Sequence, residues 1–226
     1  MKLSLSIALL SFTPAALSEL LGQDVSHYQG NIDWEGEKKA GSHFAFIKAT
    51  ESTNYVDSSF DSNYKGAADA GVLRGAYHFA RPADSSGKEQ AEYFLKHGGG
   101  WSDDGKTLPG ALDLEPGSND QCHGLSSSKM VSWIKEFSDT YHSKTKRYPV
   151  IYTTKSWWDQ CTGSSKDFGK DHPLWLARYN DSPGANPAGW DTYSFWQFND
   201  KGKLQGDNDY WNGDSDGLKK FAKEAK

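Results

Sequence analysis

Seven short apolar segments alternate with helical or polar stretches, and this rhythm constrains the chain more than any other feature. They span residues 22–25, 43–50, 73–79, 110–115, 148–153, 174–179 and 194–198. Each is rich in β-branched or aromatic residues and bounded by Gly, Pro or Asp, which predicts strands. Near-continuous apolar character predicts a sheet buried on both faces. Between them, Phe60, Tyr64, Ala67 and Ala68 recur at helical spacing, with Gly71 as a stop. Ala91, Phe94 and Leu95 mark a second helix, ended by Gly98. Met130, Trp133, Ile134, Phe137 and Tyr141 form the clearest apolar stripe, and Leu218, Phe221 and Ala225 a last one. Strands alternating with helices make parallel βαβ units. Seven or eight of them in 226 residues suit one α/β barrel. Segments 154–173 and 180–193 read as loops, so the expectation is an irregular β/α barrel with fewer helices than strands.

The first 18 residues read as an export signal: Lys2, an apolar core from Leu3 to Leu10, and Ala16-Leu17-Ser18 as the cleavage site. The mature chain, 19–226, is then one secreted domain. Its two cysteines, Cys122 and Cys161, are expected to pair as a disulfide beside the barrel mouth. A net charge of −5 argues against a nucleic-acid partner. The apolar leader is too short to span a bilayer, and no membrane association is expected. Seven scattered histidines and no HExxH suggest no metal, and no cofactor is expected. The expected state is a monomer. Asn180-Asp181-Ser182 fits the N-glycosylation pattern, with Pro183 following it.

The chemistry concentrates in Leu112-Asp113-Leu114-Glu115. Residues i and i+2 of a strand share a face, so Asp113 and Glu115 project together with Cα atoms roughly 6–7 Å apart. Carboxyls that close oppose each other's ionisation and one tends to keep its proton. A proton donor beside an anion is what cleavage of a glycosidic bond requires. The C-terminal ends of the other predicted strands carry Asp24 with Ser26 and Tyr28, Lys48 with Glu51, Tyr77 with His78, then Tyr152, Arg178 with Tyr179, and Trp196 with Gln197. Parallel barrels gather their sites at that rim. Lys48 and Glu51 read equally as a rim ion pair, Arg178 as the neutraliser of a buried carboxylate, and His78 as an interior histidine.

At these residues the chain resembles glycoside hydrolase family 25, the Chalaropsis-type lysozymes or N,O-diacetylmuramidases. The blocks that carry the resemblance are Gln23-Asp24-Val25-Ser26-His27-Tyr28-Gln29, Phe46-Ile47-Lys48-Ala49-Thr50-Glu51, Gly75-Ala76-Tyr77-His78-Phe79, Leu112-Asp113-Leu114-Glu115, Ile151-Tyr152, Leu174-Trp175-Leu176-Ala177-Arg178-Tyr179 and Trp196-Gln197-Phe198. The resemblance implies a flattened eight-stranded TIM-like barrel. It also implies hydrolysis of the β-1,4 bond from N-acetylmuramic acid to N-acetylglucosamine in bacterial peptidoglycan. Glu115 would be the general acid with Asp113 anionic beside it; carboxyls ~5–5.5 Å apart would allow a covalent nucleophile and ~6.5–9.5 Å an inverting base, and the resemblance favours Asp113 as stabiliser of an acetamido-assisted intermediate. Asp24 and a last carboxylate would support them; register favours Asp209, with Asp207 as the alternative. Tyr77, Tyr152, Tyr179 and Trp196 would line the sugar subsites, with Lys48, Glu51, Arg178 and Gln197 as further binding residues. Two other readings remain open on the residues. A chitinase-like hydrolase shares Asp-x-Glu, although Gly110 and Ala111 carry no upstream acid here. A sugar-binding barrel without turnover is the other.

Overall fold

In a computed structural model, residues 20–118 and 120–224 are described. The leader at 1–18 and Ala225 of the expected last helix lie outside them. Nine strands and six α-helices follow one another as β1 (Leu20–Val25), α1 (Trp34–Ala40), β2 (Phe44–Glu51), β3 (Tyr55–Val56), α2 (Phe60–Asp69), β4 (Leu73–Phe79), α3 (Gly87–Lys96), β5 (Ala111–Asp113), α4 (Ser127–Thr145), β6 (Val150–Thr153), α5 (Lys155–Thr162), β7 (Leu174–Ala177), β8 (Phe195–Asn199), β9 (Asp207–Trp211) and α6 (Ser215–Lys223). The strand order β1-β9-β8-β7-β6-β5-β4-β2 closes through a parallel β1–β2 pairing into an eight-stranded barrel. Strand β3 only hairpins back onto the end of β2.

The alternating pleat splits the apolar residues into two cores. Phe44, Phe46, Ala111, Val150, Trp175, Phe195 and Trp211 fill the barrel, with Phe46 stacked on Trp175 at 4.5 Å. Ala45, Ile47, Leu112, Ile151, Leu174 and Leu176 face outward against the helices. The stripe on α4 packs there as expected, and its Tyr141 hydroxyl accepts the Gly110 amide at 2.7 Å, tying helix to sheet just before β5. Helix α3 crosses α4 so closely that a Cβ at Gly87 would meet the Trp133 carbonyl at 2.1 Å. Helix α6 closes the bottom of the barrel: Leu218 and Ala222 are buried, and Phe221 packs on Phe195 and Trp211. Arg147 anchors it by donating to the Phe221 carbonyl at 3.0 Å.

The structure departs from the sequence reading in three elements. Segment 154–173 holds α5, capped by the Thr154 hydroxyl on the Trp157 amide; its eight residues carry too short an apolar pattern to register. Helix α1 is similarly short, with only Trp34 and Glu37 buried. Strand β9 runs antiparallel to both its neighbours, in a barrel otherwise built from parallel pairs. Its inward positions are Asp207, Asp209 and Trp211, so two of three lack the apolar signature of a strand.

Candidate active site

The polar residues that interrupt the barrel core all sit at one end, where the C-termini of the parallel strands open. Trp175 forms the boundary. Below its ring lies the aromatic interior; above it is a slot of about 150 Å³ lined by Asp24, Asp113, Glu115 and Asp207. Lys48, Tyr77, Tyr152 and Gln197 complete the walls, and Ser26, Tyr28 and Phe79 the rim. A larger cavity, about 530 Å³, opens beside it and contains none of these four acids. Convergent titratable groups with displaced pKa values mark the small slot as the chemical site.

Asp113 ends β5 and is buried; Glu115 lies two residues beyond, in irregular chain. That chain is held in place by the Leu114 amide on the Tyr152 carbonyl at 3.0 Å and by the His123 ring on the Glu115 carbonyl at 2.9 Å. The two carboxyl groups perturb each other's ionisation. Asp113 Oδ1 is buried and has no hydrogen-bond partner. Neighbouring buried carboxyls oppose double ionisation, which favours one proton on the pair. Burial first, then the neighbouring Glu115 carboxyl, push the Asp113 carboxyl well above its ordinary range. Glu115 is raised by burial, but the neighbouring Asp113 carboxyl and the Lys48 charge oppose the rise. Desolvation acts more strongly on the deeper Asp113 carboxyl and favours the proton there over Glu115.

A second acid pair faces the first across the slot. Burial, then Asp207, push the Asp24 carboxyl up to about 8. Asp209 beneath it is fully buried and raised well above its ordinary range by burial and by Asp24. Asp209 Oδ1 accepts from Trp175 Nε1 at 2.7 Å, while its buried Oδ2 has no hydrogen-bond partner. Gln197 joins the walls. Its Oε1 accepts from the Tyr152 hydroxyl at 2.8 Å, and its Nε2 donates to Asp24 at 2.7 Å and Asp207 at 3.1 Å. The Tyr179 hydroxyl donates to Asp207 at 3.2 Å from the exposed rim.

Lys48 is buried and supplies a cation beside the Asp113–Glu115 pair. Its Nζ lies 2.6 Å from Glu51 Oε2, and Arg81 Nη2 lies 2.7 Å from Glu51 Oε1. Burial alone would raise Glu51; the two cations outweigh it and hold the carboxyl below its usual value. The rim ion pair foreseen for Lys48 and Glu51 is thus a three-residue bridge. Arg81 carries no strand signal and was invisible in the sequence. Its backbone is fixed by Gln90, which accepts the Arg81 amide and the His78 ring. His78 is buried outside the barrel and pushed down by burial to about 4, a neutral interior histidine.

Four residues sit differently from their expected places. Asp209 faces the barrel axis but one level below the slot; Asp207 occupies the wall. Because β9 is antiparallel, its first residue is nearest the mouth, opposite Asp24 in register. Trp196 points outward between the inward Phe195 and Gln197, packs on Phe198 and Tyr210, and donates to the Arg178 carbonyl at 2.8 Å. Arg178 borders the larger cavity and neutralises no carboxylate. Glu51 lies behind Lys48, outside the slot. Cys122 and Cys161 are bonded, 5.2 Å apart at Cα, fastening the chain after Glu115 to α5. Among the described residues, no group of His, Cys, Asp or Glu has the geometry to hold a metal ion.

The profile of glycosyl hydrolases family 25 matches residues 23–207. The chain belongs to this family. The N,O-diacetylmuramidase of Chalaropsis sp is 51% identical over 206 residues, covering 89% of this chain and 98% of that protein. The N,O-diacetylmuramidase of Arthroderma benhamiae is 50% identical over 203 residues, 89% and 86% of the two chains. The family GH25 lysozyme structure from Aspergillus fumigatus superposes with a TM-score of 0.90 at 50% identity, over 92% of this chain and all of that one. This family 25 glycosyl hydrolase therefore carries Asp24, Asp113, Glu115, Asp207 and Asp209 on a family barrel, the first four of them at the wall of one slot.

Proposed function

We propose that the protein is a secreted muramidase, a lysozyme that cuts the β-1,4 bond between N-acetylmuramic acid and N-acetylglucosamine in bacterial peptidoglycan. The observation that carries the mechanism is the Asp113–Glu115 pair, two carboxyls of one strand end that line the same slot, perturb each other's ionisation and have the Lys48 charge beside them. They suit a reaction in which the sugar's own 2-acetamido oxygen is the nucleophile.

In this reading the acetamido N–H donates to Asp113, which releases its proton to Glu115. The acetamido oxygen attacks the anomeric carbon as the glycosidic bond breaks, and Glu115 protonates the departing oxygen. Asp113, now anionic, stabilises the oxazolinium. Water then attacks the anomeric carbon and yields its proton to the Glu115 carboxylate, with net retention. Asp24, Asp207 and Gln197 hydrogen-bond the sugar, and Tyr77 and Tyr152 line its subsite. The 1–18 leader and the disulfide support export, and among the described residues no helix is long and apolar enough to cross a membrane. We take the working unit to be the monomer.

Digestion of purified peptidoglycan followed by mass spectrometry tests the reading. New reducing-end muramic acid is expected; reducing-end glucosamine, or product from soluble chitin instead, contradicts it. Glu115→Gln should fold normally and lose ~10²-fold or more of the rate, the scale of a general acid. Near-normal turnover by that variant would remove Glu115 from the role.

A further inference from the structure

The larger cavity beside the slot has an unusual charge. Leu176 and Ala177 form its floor, Thr154 and Lys155 one wall, and Arg178 and Pro183 the other. Its volume of about 530 Å³ is that of a small-molecule cleft. The chain has four arginines. Arg74 bonds Thr107, Arg81 bonds Glu51 and Arg147 bonds backbone carbonyls. Of these four, Arg178, whose side chain is exposed, alone has no side-chain hydrogen bond or ion pair among the described residues. It is nevertheless seated: a Cβ at Gly184 would lie 1.3 Å from its Nη1, so glycine there leaves room for the guanidinium. Lys155 is already paired with Asp159 on α5. The cavity thus presents one uncompensated positive charge over an apolar floor.

Its position relates it to the slot. Consecutive residues in extended chain face opposite ways, and here Tyr179 reaches Asp207 in the slot while Arg178 turns into the cavity. The two residues form the ridge between the sites. A substrate branch bearing a carboxylate finds its only cation in the slot, Lys48, already paired with Glu51. Over the ridge it meets the free guanidinium. Muramic acid differs from N-acetylglucosamine in such a branch, a lactyl ether extended by a peptide with free carboxylates.

We propose that this cavity binds the carboxylate-bearing peptide branch of the glycan, with Arg178 as a specificity-determining residue that pairs with a branch carboxylate. The inference rests on the muramidase reading of the slot. A guanidinium offers a carboxylate two parallel donors, and the cavity beside it has the volume for the peptide that carries one. Chitin, which lacks the branch, gains nothing from the cavity.

The test uses the full mature enzyme and peptidoglycan freed of phosphate polymers. One sample keeps its peptide carboxylates; in the other they are converted to amides, which preserves size and removes charge. The wild-type enzyme should favour the charged substrate in kcat/KM by about fivefold at low salt, the scale of one partly exposed ion pair. The preference should shrink in high salt. Arg178→Gln should abolish the preference, and Arg178→Lys should restore part of it. Equal preference in wild type and Arg178→Gln overturns the proposal, as does a wild type indifferent to the amidation. Muramic-acid reducing ends in both digests keep the muramidase reading intact even then; their absence from both would refute that reading instead.

Discussion

Asp24→Asn should stabilise the protein at alkaline pH and leave it nearly unchanged in acid. The folded Asp24 carboxyl sits at about 8, against 3.8 for the free group. Burial is the main cause, followed by Asp207. A group whose folded pKa is raised binds a proton more tightly folded than unfolded. Its favourable contribution is complete below pH ~4 and is lost as pH rises towards 8. The displacement of roughly four units corresponds to at most about 5–6 kcal/mol, at 1.36 kcal/mol per unit. Water in the slot and coupling to Asp207 and Asp209 reduce this, and about 1–3 kcal/mol is the expected observable difference. Asparagine removes the titration while keeping the essential geometry. Its amide oxygen can accept from Gln197 Nε2, as the carboxyl does now. Urea unfolding of wild type and variant from pH 4 to 9 measures the effect. The stability difference should grow with pH in favour of the variant. A difference that is constant with pH, or that favours wild type at pH 8, would refute the reasoning about this acid pair.

Two further outcomes follow from the same geometry. Lys48→Met removes the cation that holds down Asp113 and Glu115, so both limbs of the pH–rate profile should move to higher pH; an unmoved or acid-shifted profile would contradict the role. Replacing Cys122 and Cys161 together by serine opens a link between residues 39 apart, and should cost about 4 kcal/mol by chain entropy, read as a fall in Tm of about 10 °C. A loss below ~1 kcal/mol would show that the unfolded chain gains little freedom there.

The sequence made the barrel legible wherever burial demanded apolar residues. Strands β2 and β4 and helix α4 have a distinct inner and outer layer, and their pattern records both. Strand β9 was hidden because its inward places carry acids rather than hydrophobes. Its reversed direction also decides between Asp207 and Asp209. Register alone cannot reveal which end of a strand is at the mouth; the hairpin joining β8 to β9 does. Asp113, Glu115, Asp24, Lys48 and Gln197 were recoverable because each ends a recognisable strand. Arg81 and His123 lie in loops, where only three-dimensional contact reveals what they hold. Trp196 misled because an aromatic residue at a strand end can face either side, and the outward side here needed covering.

That covering has an evolutionary implication. No helix intervenes between β8 and β9, and Trp196, Phe198 and Tyr210 shield that stretch of wall with their own rings, the last two stacked at 4.2 Å. In the connecting turn Leu204 is buried and the Gln205 amide is held by Glu37 of α1, whereas residues 200–203 are exposed and stand on the side of Asp24 and Asp207. Lengthening or recomposing that exposed part can remould one bank of the cleft without asking the scaffold to refold, which makes it the natural place for relatives to diverge in the polymers they grip.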